Sequence, residues 1–123
     1  MQSDNKKCTR VLIVEDEPVL ALTLEDLLID SGFAVVGIAG KLEKALAIIS
    51  EAAFDIAIID ANLAGVSASP AALALTARGI PFIVVSGYSI EQLPPAFCCA
   101  IVMKKPYRPN QLIQILNNIA LRQ

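Results

Sequence analysis

The 123-residue chain contains no histidine and no tryptophan. The first absence removes whole classes of chemistry. No Ser-His-Asp or Cys-His nucleophile can be assembled, and no phosphohistidine can form on this chain. It also deprives the three cysteines, Cys8, Cys98 and Cys99, of the partner that many zinc sites use. An odd number with one adjacent pair is a poor disulfide framework, so they read as reduced thiols of a cytoplasmic protein. Aromatic residues are scarce at 5%, whereas hydrophobic residues reach 55%, so the core must be built from Leu, Ile, Val and Ala. There is no run of Lys or Arg and the net charge is −2, which argues against a nucleic-acid partner. No apolar run is long enough to span a membrane, and Met1–Lys7 lacks the apolar centre of a signal peptide. The length suits one domain: a flexible segment over residues 1–8, then a folded unit over 9–123.

What is present centres on Val11-Leu12-Ile13-Val14-Glu15-Asp16-Glu17-Pro18. An unbroken apolar run reads as a strand buried on both faces, the mark of a parallel sheet. It runs into three carboxylates and then a proline suited to the first turn of a helix. Clustered carboxylates repel unless they are solvated or share a cation.

The same pattern repeats along the chain. Residues 18–31 predict a helix with Leu20, Leu24, Leu27 and Leu28 on its core face and Gly32 closing it. Residues 34–39 predict a second strand, and Leu42, Ala45, Leu46 and Ile49 the next helical stripe. Residues 56–59 form a third strand that ends on Asp60. Residues 61–69 read as a loop, with Ser69 as N-cap and Pro70 at the first helical position. A helix follows, closed by Gly79, and then a fourth strand over 82–85 that ends on Ser86-Gly87. Pro94 and Pro95 forbid a long regular helix over 89–97, so the fourth helical segment is expected to be short or irregular. A fifth strand over 100–103 ends on Lys104-Lys105-Pro106, and a last helix begins near Pro109. Alternating strands and helices with apolar strands predict an α/β fold. Right-handed crossovers at this length favour a flavodoxin-like, doubly wound, five-stranded parallel sheet in the order 2-1-3-4-5.

In that topology, sites form beyond the C-terminal ends of the strands, at the switch point. Strands 1 and 3 flank it, so Glu15 and Asp16 stand beside Asp60. Three carboxylates make a hard oxygen site suited to Mg²⁺. Ser86 adds a hydroxyl and Lys105 an ammonium. Singly, each has an ordinary alternative: Asp60 a loop acid, Ser86-Gly87 a turn, Lys105 a surface lysine. Together they suit a phosphoryl group, with a carboxylate attacking phosphorus to give an acyl phosphate.

These four pieces, Val11–Pro18, Ile56–Leu63, Ile83–Gly87 and Met103–Tyr107, resemble in order and spacing the receiver domains of two-component response regulators. The resemblance covers nearly the whole chain, with the receiver spanning 9–123. It implies that Asp60 is the phosphoacceptor. It further implies that Asp16 binds Mg²⁺ directly, Glu15 through water, and Asn62 through its backbone carbonyl. Ser86 and Lys105 would hold the phosphoryl oxygens. The donor would be a phosphohistidine on a sensor histidine kinase or a histidine phosphotransfer protein. The domain would be a monomer or a phosphorylation-dependent dimer, and not an enzyme beyond its own phosphorylation and slow dephosphorylation. Residues 81–88 also resemble stand-alone receivers that serve bacterial sensor kinases with atypical kinase cores. One departure concerns the family's switch aromatic, whose position here is Val102; Tyr88 and Tyr107 are the candidate rings to take its place, which the sequence does not show.

Rival readings fit less well. A cofactor-binding flavodoxin relative needs a phosphate-holding loop after strand 1, where Glu15-Asp16-Glu17 would repel phosphate. A phosphatase acting on external substrates would be expected to carry a second acid beside its nucleophile, but Ala61 and Asn62 follow Asp60. A pseudo-receiver that is never phosphorylated, or a receiver fragment of a larger regulator or hybrid kinase, remains as the structural alternative.

Overall fold

A strand that is apolar on both faces is stable only where helices cover both sides of its sheet. The structure, a computed structural model, describes residues 8–87, 92–98 and 100–121. In chain order it contains β1 (Arg10–Val14), α1 (Pro18–Asp30), β2 (Ala34–Ala39), α2 (Leu42–Glu51) and β3 (Ile56–Asp60). The short strands β4 (Asn62–Leu63) and β5 (Val66–Ser67) follow, then α3 (Ser69–Ala77) and β6 (Phe82–Ser86). A 3₁₀ turn at Pro95–Phe97, β7 (Ile101–Lys104) and α4 (Pro109–Leu121) complete the chain.

The main sheet runs β2-β1-β3-β6-β7 and every pairing in it is parallel. Counted among these strands alone, that is the expected 2-1-3-4-5 order of a flavodoxin-like α/β fold. Successive strand residues point to opposite faces, which explains the unbroken apolar runs. Leu12, Val14, Ala57, Ile59 and Val84 meet Ala45 and Ile49 of α2 and Ala72 and Leu75 of α3. Val11, Ile13, Ile58, Ile83 and Val85 meet Leu24 and Leu28 of α1 and Leu112 and Leu116 of α4. All residues of β3 and β6 are buried.

The local signals behave as their chemistry dictates. Pro18 opens α1 with Glu17 as N-cap, and Gly32 closes it at φ +94°. The Phe33 N–H then donates to the Leu28 carbonyl at 2.9 Å. Four expectations need correction. Leu20 is not a core residue of α1: it is 49% exposed, and Ala21 is buried in its stead. Ala21, Leu24 and Leu28 stand at i, i+3 and i+7, so the buried stripe runs through Ala21 and leaves Leu20 at its edge. The loop over 61–69 contains a two-stranded antiparallel hairpin, β4–β5, with Asn62 opposite Ser67 and Leu63 opposite Val66. Ser69 is the first residue of α3 and not its cap; Ala68 caps it without a side-chain hydrogen bond. The Ser69 hydroxyl instead meets the Ser67 hydroxyl at 2.8 Å. The fifth sheet strand is one residue later than expected, ending on Lys104.

Among its described residues the fourth helical segment is irregular, as its prolines require. Its described residues include a 3₁₀ turn at Pro95–Phe97, pinned by a fully buried Phe97, and no α-helix. Residues 89–91 of that segment lie outside the described residues, as do Tyr88, Cys99 and most of the expected N-terminal segment 1–8.

Candidate functional site

Strand register assembles the site. Val14 lies opposite Ile59, so Glu15 and Asp16, the first residues beyond β1, arrive beside Asp60 at the end of β3. The Glu15 N–H extends the ladder by donating to the Ala39 carbonyl at 2.9 Å. Asp60 is opposite Val85, which places Ser86 at the same rim. The Lys105 N–H donates to the Ser86 carbonyl at 2.8 Å, carrying the β6–β7 ladder one step further and setting Lys105 at the rim as well. The predicted groups therefore come from four strand ends, Glu15 and Asp16 sharing that of β1, and reach one cleft of about 620 Å³, lined also by Leu20, Asn62 and Leu93.

Asp60 and Ser86 are the buried polar side chains among the described residues, 7% and 3% exposed. A carboxylate taken out of water needs partners. Asp60 has one for each oxygen: the Lys105 ammonium reaches Oδ2 at 2.8 Å, and the Asn62 N–H donates to Oδ1 at 3.1 Å. One carboxylate oxygen from each of Glu15, Asp16 and Asp60 lies within 4.8 Å of the others. Glu15 is oriented by the Glu17 N–H, which donates to its Oε2 at 3.0 Å.

The electrostatics follow from this crowding. Burial pushes the Glu15 carboxyl above its ordinary range; the Glu17 N–H and Lys105 oppose that push, and the charges of Asp60 and Asp16 add to it. Burial alone would lower Lys105, but its hydrogen bond to Asp60 and the three surrounding carboxylates hold it above the usual lysine range. Half-buried Tyr107 is raised by burial first and then by Glu15, with Lys105 opposing, so its ring belongs to the same electrostatic neighbourhood.

Three converging carboxylates are a hard, anionic oxygen set that fits Mg²⁺ with retained waters. Glu15, Asp16 and Asp60 would hold the ion; Asn62, whose N–H donates to Asp60, lines the same cleft. Val102 is half-buried and packs on the α2–α3 side of the core, so no ring occupies the family's switch position. Tyr107 packs on the opposite, α1–α4 side. Sequence reasoning missed two contributors. Glu17 acts through its backbone, which no side-chain pattern announces. Gly65 donates its N–H to Asn62 Oδ1 at 2.7 Å, and the Asn-x-x-Gly spacing is the signal that was available.

A family model described as the response regulator receiver domain matches residues 11–117. The chain belongs to the response regulator receiver family. Among solved structures, the receiver resembles SdrG from Sphingomonas melonis Fr1, with 36% identity, a TM-score of 0.77, and coverage of 92% of this chain and 97% of that one. It also resembles a CheY-like receiver domain from Methylobacillus flagellatus (28% identity, TM-score 0.78, 92% and 99% coverage). The response regulator PhyR from Brucella abortus is 28% identical at a TM-score of 0.77, but the match covers 92% of this chain and only 48% of that one. A curated relative, the probable transcriptional regulator ycf29 of Pyropia yezoensis, is 29% identical over 127 residues. That match spans 92% of this receiver and about half, 54%, of the relative. Among the described residues no helix is long and apolar enough to cross a membrane.

Proposed function

We propose that this receiver domain is a phosphoacceptor module of a two-component phosphorelay, with Asp60 as the acceptor. The observation that supports it most is the setting of Asp60, with the Lys105 ammonium on its Oδ2 at 2.8 Å and the Glu15 and Asp16 carboxylates close enough to share a cation with it. That arrangement gives a nucleophilic oxygen with opposite charge on hand for the group it receives. An Asp60 oxygen attacks phosphorus, the bond from phosphorus to the donor imidazole nitrogen breaks, and the imidazole keeps that electron pair. Mg²⁺ bound at the carboxylates would neutralise phosphoryl oxygens during transfer. Lys105 is placed to pair with a phosphoryl oxygen on Asp60, and buried Ser86 to offer its hydroxyl. Glu15 and Asp16 would hold the metal, and Asn62 would add its backbone carbonyl.

The donor in this reading is a phosphohistidine of a sensor histidine kinase or phosphotransfer protein in the cytoplasm, since the chain has no histidine of its own. The domain turns over no external substrate; it changes its contacts with partner proteins. Intact mass after incubation with acetyl phosphate and Mg²⁺ tests the reading. The wild type is expected to gain one phosphoryl group and Asp60→Asn none. A gain in both would place the phosphate elsewhere, and a gain in neither, with Mg²⁺ binding confirmed, would favour a pseudo-receiver.

A further inference from the structure

The β4–β5 hairpin begins two residues after Asp60, and its first residue touches Asp60 directly. Asn62 makes two separate hydrogen bonds. Its backbone N–H donates to Asp60 Oδ1 at 3.1 Å, and its side-chain Oδ1 accepts the Gly65 N–H at 2.7 Å. The side chain is thus turned back into the hairpin. Between the two short strands the chain turns through Ala64 at φ +53° and Gly65 at φ +89°. Two consecutive positive φ values are those of a type I′ turn, which favours Asn-Gly; alanine at the first position is strained. A two-residue pair of strands is marginal by itself. Here it is closed by Asn62–Gly65, by the Ser67–Ser69 hydroxyl contact, and by the Ala68 N–H donating to the Ala61 carbonyl at 3.0 Å.

From this geometry we infer that the Asn62 side chain is a positioning residue for the phosphoacceptor. By tying the Gly65 N–H it holds the hairpin closed over a strained turn, and the closed hairpin keeps the Asn62 backbone on Asp60 and its carbonyl at the metal position. Asp60 Oδ1 then stays oriented with Glu15 and Asp16 before any ligand arrives. This inference rests on the proposed phosphoacceptor role and adds to it a part for a side chain that does not itself face the phosphoryl group.

The test compares the wild type, Asn62→Ala, and Asn62→Ala with Ala64→Asn, which restores the turn by its preferred Asn-Gly pair and leaves position 62 without a polar side chain. Mg²⁺ affinity is read by calorimetry and phosphorylation rate by intact mass with acetyl phosphate; thermal melting in the absence of Mg²⁺ checks the fold. Asn62→Ala is expected to weaken Mg²⁺ binding and slow phosphorylation by about fivefold to tenfold, the loss of roughly one hydrogen bond's worth of preorganisation. The double variant is expected to recover most of both. Unchanged Mg²⁺ affinity and rate in Asn62→Ala would overturn the inference, as would a loss that Ala64→Asn fails to repair, because the side chain would then act on the site itself. A wild type that binds no Mg²⁺ and takes no phosphate would instead overturn the phosphoacceptor reading.

Discussion

Glu15 carries the clearest electrostatic strain in the receiver. Its pKa is raised by burial first, and by Asp60 and Asp16 in addition, so the folded protein holds a Glu15 proton more tightly than the unfolded chain does. A group raised in this way contributes stability below its unfolded pKa and loses it as pH rises through the folded value. At neutral pH without a divalent ion, ionised Glu15 is therefore a cost. Glu15→Gln is expected to melt higher than the wild type at pH 7 in EDTA, by on the order of 0.5 kcal/mol or about 2 °C. The gap should close as pH falls to the ordinary glutamate range near 4.5. A gap that does not change with pH would mean that charge is not its source. Lys105 has the same sign of shift from the opposite cause, attraction that outweighs burial, so its pairing persists through neutral pH and fades only in strong alkali.

At the scale of elements, the segment between β6 and β7 departs most from regular structure. Pro94 and Pro95 remove the N–H groups a helix would need, and the described residues include a 3₁₀ turn at Pro95–Phe97 in place of an α-helix. Its anchor is Phe97, fully buried among the residues of α3 and the sheet face above them. Around it the Phe97 N–H donates to the Pro94 carbonyl, the Cys98 N–H to that of Pro95 and the Ala100 N–H to that of Phe97, each at 3.0 Å, and burial of the ring anchors this turn to the core. Phe97→Ala is expected to lower unfolding stability by about 3–5 kcal/mol, read as a shift of the urea midpoint. Leu73→Ala, on the exposed face of α3 (59% exposed), is the control and should change stability by under about 0.5 kcal/mol. Comparable losses for the two would show that the turn is not pinned through Phe97. The hairpin β4–β5 is the second irregular element, and it lies over the site for the reasons given by Asn62 and Gly65.

For the molecule as a whole, folding gathers three carboxylates from two strand ends against their mutual repulsion. The cluster exists only in the folded state, so a divalent cation bound there should stabilise the fold by mass action. Mg²⁺ at ten times its Kd is expected to add about 1.4 kcal/mol, a rise of about 5 °C in Tm. An equal rise with sodium chloride at matched ionic strength would assign the effect to screening, not to a site.

The strands, their order and the identities of the acids, the serine and the lysine were legible in the sequence. Local signals write them: unbroken apolar runs, each ending on a polar residue, and prolines and glycines at the helix ends. Parallel topology then leaves few places for those ends to meet. Tertiary structure decided what such patterns cannot encode. Helical periodicity allowed Leu20 or Ala21 to face the sheet, and the fold buried Ala21 and left Leu20 at the cleft. Turn composition marked residues 61–69 as a loop, but pairing of Asn62 with Ser67 depends on φ values at Ala64 that propensity argues against. The partners of Asp60 were also settled only in three dimensions. Lys105 lies 45 residues away in the chain and approaches because its own N–H continues the ladder onto Ser86. Sequence determined which chemical groups are available at the sheet's rim. Register, packing and the hairpin determined which oxygen each of them touches, because those depend on distances between elements that no local pattern carries.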